Sequence, residues 1–146
     1  MEMDHIQIKY HDPNMPKLEF IDGKSDWIDL RARYGGKFKA GDFAVIDLGV
    51  SMKLPDGYEA HMAPRSSSFK NYHFIQTNGV AVIDNSFSSD NDVWKLPCYF
   101  VQDSVINPYD RICQFRIMKK MGDIEFDEVL TLGNNERGSF GSSGVK

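Results

Sequence analysis

Cysteine is nearly absent from this chain: Cys98 and Cys113 are the two among 146 residues, and they form no CxxC pair. That usage fits a thiol-reduced, cytoplasmic protein rather than one built on a cysteine framework. An excess of basic residues is also missing. Seventeen lysines and arginines stand against 21 aspartates and glutamates, for a net charge of −4. This argues against nonspecific binding to nucleic acid, which needs a basic surface. A bound nucleotide stays compatible with it, since a few local arginines suffice. No apolar run approaches the roughly 20 residues of a membrane span, and no basic-then-apolar leader opens the chain. No helical stripe of useful length appears either.

What the sequence does have is a series of short apolar runs between glycine and proline turns. Residues 5–10 alternate and predict a strand, as do 26–32, where Trp27, Asp29 and Arg31 share one face and Ile28 and Leu30 the other. A long strand is expected from Phe43 to Leu54, with Gly49 as a bend or bulge inside it. Further strands are expected over 58–63, 93–101, 111–117 and 124–132, with Pro97 suggesting an edge or bulge. The spacing points to one all-β sandwich or barrel. Cys113, Phe115 and Ile117 alternate with Gln114 and Arg116, so Cys113 reads as a small core residue.

Three stretches carry polar chemistry. The first, Asn78-Gly79-Val80-Ala81-Val82-Ile83-Asp84-Asn85-Ser86-Phe87, is a short strand that ends on a carboxylate, a polar turn and a ring. Asp84 at the end of a stiff strand suits a general base, which must be held within reach of its proton. An aspartate that caps its own turn has the same signature. The second, Pro64-Arg65-Ser66-Ser67-Ser68-Phe69-Lys70, is a poor strand that suits the first turn of a short helix, where Arg65 and the hydroxyls could hold an anion. A serine-rich loop without a ligand is the plainer alternative. The third is the tail from Gly133 to Lys146, rich in glycine and serine, with Arg137 and Phe140. Alone it cannot bury enough apolar surface to fold. Its glycines, hydroxyls, cation and ring are nonetheless what a phosphate clamp requires, although the Walker spacing is absent.

Taken together these residues resemble the trimeric deoxyuridine triphosphatases (dUTPases), whose five ordered motifs all have counterparts between residues 26 and 144. Asp26-Trp27-Ile28-Asp29-Leu30 is similar to the first, Pro64-Arg65-Ser66-Ser67 to the second, and Asn78 through Phe87 to the third. Tyr109-Asp110-Arg111-Ile112-Cys113-Gln114 resembles the fourth, and Arg137 through Gly144 the fifth. Departures are local. Asp26 and Trp27 stand where small residues are usual, Phe87 stands for the usual tyrosine, and Ala81, Ser89, Tyr109 and Ser139 stand at common glycine positions.

The resemblance implies a jelly-roll-like fold with at most a short helix, residues 1–132 forming one β domain and residues 133–146 a flexible arm that closes the active site. It implies a homotrimer with shared sites, bacterial or phage-encoded, that hydrolyses dUTP to dUMP and pyrophosphate with Mg²⁺. That reaction keeps uracil out of DNA and supplies dUMP for thymidylate synthesis. Asp84 would activate the water, with Gln114 beside it, and Asp29 would hold Mg²⁺ through a water. Arg65, Ser66 and Ser67 would bind phosphate oxygens. Asn78, Gly79, Val82 and Ile83 would read uracil, and Phe87 would take the deoxyribose. Arg137, Phe140, Gly141, Ser142 and Ser143 would close over base and γ-phosphate. Two rivals remain. A dCTP deaminase shares this fold, but it needs a glutamate about ten residues after Asp84, where Trp94 stands. A non-enzymatic β-sandwich binding module would have no use for Asp84, Gln114 and such a tail together.

Overall fold

In a computed structural model that describes residues 3–20, 23 and 25–138, the chain forms eleven strands and one short helix. The strands are β1 (Gln7–Tyr10), β2 (Ile28–Arg31), β3 (Gly36–Phe38), β4 (Phe43–Asp47), β5 (Val50–Lys53) and β6 (Tyr58–Pro64). Helix α1 (Ser68–Tyr72) follows, then β7 (Phe74–Gln76), β8 (Ala81–Ile83), β9 (Lys95–Phe100), β10 (Ser104–Ile106) and β11 (Arg111–Lys119). They pair antiparallel into a four-stranded sheet, β2-β11-β6-β8, a three-stranded sheet, β4-β9-β7, and the two-stranded ribbons β1-β5 and β10-β3. No sheet closes on itself, so the expected sandwich or barrel is an open sandwich.

Alternation builds the core. Ala60 and Met62 of β6, Leu96, Cys98 and Phe100 of β9, and Cys113 and Phe115 of β11 point inward into one cluster. Trp94 meets Phe115 edge-on at 5.1 Å, and Phe100 stacks on Phe38 at 4.3 Å, so rings bridge between separate sheets. Such aromatic pairs contribute about 1 kcal/mol beyond the area they bury.

Three expectations need correction. The long strand over 43–54 is two strands in different sheets. Gly49 takes φ +71°, and a Cβ there would sit 2.7 Å from Met15 Cε, so the chain turns out of one sheet and into another at this residue. Pro97 lies at neither an edge nor a bulge but in β9, the middle strand of its sheet, opposite Val45. The Pro97 carbonyl accepts from Thr77 N–H, and N–H and C=O of one residue point the same way in an antiparallel ladder. The missing donor therefore faces Thr77, and the pairing of β7 with β9 ends there on a single bond. Lastly, residues 124–132 form no strand. Ile124, Phe126, Val129, Leu130 and Leu132 are all exposed, Phe126 to 91% and Leu130 to 107%. Their apolar side chains find no partner surface within the described residues.

Candidate active site

The Asn78–Phe87 stretch, which runs from the turn after β7 through β8, closes one side of a pocket. Gly79 takes φ +66° in that turn with no atom within 4 Å of a would-be Cβ, and β8 then runs antiparallel to β6. Asn78, Ala81, Val82, Ile83, Asp84 and Phe87 face a cavity of about 660 Å³ that Asn91 to Lys95 close from the other side. Val82 and Phe87 are 60% and 40% exposed, so the apolar wall is open to a ligand.

Asp84 does cap its turn, but with one oxygen. Its Oδ1 accepts the Ser86 N–H at 2.8 Å, while Oδ2 has no partner among the described residues. The Ser86 backbone bond chiefly, with the Ser86 side chain and Lys120 nearby, holds the carboxyl below the usual carboxylate range, so it is ionised at neutral pH. Asn85 fixes the turn from behind. Its Nδ2 donates to the carbonyls of Pro55 at 2.9 Å and Tyr58 at 3.0 Å.

A second cluster lies at the far end of the same sheet. Asp29 on β2 pairs in register with Gln114 on β11, which is opposite Ala63 on β6. Arg65 Nε lies 3.1 Å from Asp29 Oδ1 and Arg111 Nη1 3.4 Å from Oδ2, so both carboxylate oxygens face guanidinium groups. The Gln114 amide donates to the Pro64 carbonyl at 3.1 Å. Ser66 is exposed and Ser67, at the helix N-cap, makes no side-chain cap bond, which leaves both hydroxyls to a ligand. Ser68 does not: its hydroxyl accepts from Arg65 N–H and donates to the Ile112 carbonyl. The helix is only five residues long, so positive charge here comes from Arg65 and Arg111 rather than from a helix end.

The two clusters do not meet within one chain. Ile83 pairs with Ala60, which sets Asp84 level with Glu59, whereas Gln114 is level with Ala63. That is about 14 Å along the strands and about 10 Å across two strand spacings. Arg137 is exposed and belongs to no regular element; Phe140, Gly141, Ser142 and Ser143 lie outside the described residues. Both cysteine thiols are buried, Cys98 pushed up to about 12 and Cys113 also raised by burial, so neither is a nucleophile. Trp94, at the deaminase glutamate position, is a core ring with 1% exposure.

Sequence reasoning missed Asn85, Arg111 and Gln76, whose amide donates to Asn78 Oδ1 at 3.0 Å. Arg111 stood inside the fourth motif, and its charge was the one available signal. The partners of Asn85 and Gln76 include distant backbone carbonyls, which leave no mark on sequence.

The dUTPase family model matches residues 27–144. The chain is 50% identical over 141 residues to the SPbeta prophage-derived deoxyuridine 5'-triphosphate nucleotidohydrolase YosS of Bacillus subtilis (strain 168), covering 97% of this chain and 99% of that one. It is 31% identical to the deoxyuridine 5'-triphosphate nucleotidohydrolase of Escherichia phage T5, over 97% and 99% of the two chains. Among solved structures, a mutant dUTPase of Staphylococcus bacteriophage 80alpha with dUpNHpp superposes at TM-score 0.77, with 18% identity over 98% of this chain and 100% of that one. A mutant dUTPase from phage phi11 of S. aureus, solved to show how it coordinates a structural Mg(II) ion, reaches 0.74 with 15% identity over 88% and 99%. With five motifs in order, a matching fold and relatives aligned over nearly their whole length, the chain belongs to the dUTPase family.

Proposed function

We propose that the chain hydrolyses dUTP to dUMP and pyrophosphate in sites assembled between copies of itself in a homotrimer. The observation that carries the chemistry is the free Oδ2 of an ionised Asp84 at the wall of a pocket of nucleoside size. Asp84 orients a water and takes its proton as the water attacks the α-phosphorus in line. The Asn78 side chain and the backbone of Gly79–Ile83 pair with uracil. The sugar lies on Phe87, where a 2′-hydroxyl would find no room.

The triphosphate is received by the other cluster. Arg65 and Arg111 supply positive charge, Ser66 and Ser67 donate to phosphate oxygens, and Gln114 holds an oxygen or the attacking water. Because Asp84 and Gln114 of one chain stand too far apart for one small ligand, the Asn78–Phe87 arm of one copy faces the cluster of the next. The apolar side chains of residues 124–132, bare in a single chain, support contact between copies.

Asp29 fits a metal reached through water. Its two oxygens already face guanidinium groups, and no group of three metal-ligating side chains occurs among the described residues. Mg²⁺, when bound with the triphosphate, neutralises phosphate oxygens while keeping most of its own waters. Arg137, Phe140, Gly141, Ser142 and Ser143 close over base and γ-phosphate and keep bulk water out. The prophage origin of the Bacillus relative supports a bacterial or phage-encoded protein working in the cytoplasm.

Pyrophosphate release from dUTP, dCTP, dTTP and UTP, each with and without Mg²⁺, tests the reading. Turnover of dUTP with Mg²⁺, well above the other three, is expected. Equal turnover of dCTP, or none of dUTP, refutes it. Light scattering tests the assembly, and a monomer that still turns over dUTP refutes the shared site.

A further inference from the structure

Gln76 is a buried amide at 4% exposure, and it lies behind the base pocket rather than in it. It ends β7, in the three-stranded sheet, yet its side chain crosses to the four-stranded sheet. There Nε2 donates to the Met62 carbonyl at 3.1 Å and to Asn78 Oδ1 at 3.0 Å. Its Oε1 is enclosed with no hydrogen-bond partner.

Two steps follow from donor and acceptor chemistry. A backbone carbonyl can only accept, so Met62 fixes which end of the Gln76 amide points toward it. That end is the NH₂, and its second hydrogen can meet only an acceptor. Asn78 must therefore turn Oδ1 toward Gln76, because the reverse orientation would set donor against donor. The remaining end of Asn78, its NH₂, makes no bond to the protein among the described residues, and Asn78 lines the pocket. A methionine would fill the place of Gln76 without an enclosed, unpaired oxygen. What methionine lacks is the pair of donors.

We propose that Gln76 is a positioning residue: it presets Asn78 as a hydrogen-bond donor toward the 4-carbonyl of the pyrimidine, and so sets the preference for uracil over cytosine. Cytosine offers an amino group at that position, and two facing NH₂ groups cannot pair. The inference rests on the dUTP-hydrolysis reading above and adds the residue that orients its base contact.

Two variants test it. Gln76→Glu keeps the shape but turns the donor into an acceptor, which draws the NH₂ of Asn78 away from the pocket. Gln76→Met removes both donors without adding a buried charge, and keeps the test alive where the glutamate variant fails to fold. For Gln76→Glu, KM for dUTP rises and the dUTP-to-dCTP ratio of kcat/KM falls, each by at least about tenfold, with kcat for dUTP held within about threefold. Gln76→Met shifts the same ratio in the same direction by less, because Asn78 is then free to take either orientation. A folded Gln76→Met protein with the parent's ratio and only a lower Tm overturns the proposal and leaves Gln76 as a tie between sheets. A parent that does not hydrolyse dUTP, or does not prefer it to dCTP, overturns both this inference and the reading beneath it.

Discussion

Asp84 serves as a turn cap and as a candidate base with different oxygens, and this separates stability from catalysis at one residue. In Asp84→Asn the amide carbonyl still accepts the Ser86 N–H, so the turn keeps its bond. No carboxylate remains to take a proton. The variant should melt with the parent while kcat falls by about 10²–10⁴; hydrolysis within tenfold of the parent would remove Asp84 from the base role. Asp84 was legible in the sequence because a short apolar run ends on it and the turn after it is polar. Gln76 and Asn85 were not. Each is an ordinary polar residue in a run of them, and what gives it meaning is a carbonyl contributed by another part of the chain. Tyr109 lies between these cases. The resemblance marked it as a departure at a glycine position, and the structure gives the reason for the glycine: φ is +70° there. Its hydroxyl donates to Asp12 at 2.8 Å and its carbonyl accepts from Arg31, contacts that hold a conformation side chains rarely adopt.

The longer strands that turn one face to the core were legible, because burial imposes the period of two; the three-residue strands β3, β7 and β10 were not expected. The errors came where tertiary geometry overrides that pattern. Every second residue from Ala44 to Leu54 is apolar, yet Gly49 sends the two halves into different sheets. Residues 124–132 carry enough apolar side chains for a strand but have no sheet beside them in their own chain. Two glycines with the same backbone sign should therefore respond differently to alanine. At Gly79 the added Cβ meets nothing, so the loss is the left-handed strain, about 1–2 kcal/mol. At Gly49 the same strain is joined by a clash with Met15, a buried residue that must move. Chemical denaturation should rank Gly49→Ala as the less stable; the opposite order would mean that the turn between β4 and β5 tolerates the side chain.

Over the whole molecule, the acidic residues behind the net charge also hold the loops. Asp12, Asp84, Asp92 and Asp103 each accept a backbone N–H bond, and each carboxyl is held below its ordinary value of 3.8, chiefly by that bond. A lowered folded pKa means the unfolded chain binds protons first on acidification. Their stabilisation is thus complete above the ordinary carboxylate pKa and is lost as pH falls through the lowered folded values. Tm should be insensitive to these groups from neutral pH to about 5 and drop below about 4, with a shallower acid limb in Asp103→Ala. An unchanged limb in that variant would show that the loop bonds do not set acid stability.

With sites shared between copies as proposed, the distance between Asp84 and the Arg65 cluster within one chain should also make two broken proteins repairable by mixing. An Asp84→Asn chain keeps a sound phosphate cluster, and an Arg65→Ala chain keeps a sound Asn78–Phe87 arm; each alone should be inactive. Refolded together in equal amounts, they should assort at random into the proposed trimers. About one site in four then draws its Asn78–Phe87 arm from a chain that has Asp84 and its cluster from a chain that has Arg65. Activity should return to about a quarter of the parent's. A mixture as dead as its components would put both halves of the site in a single chain.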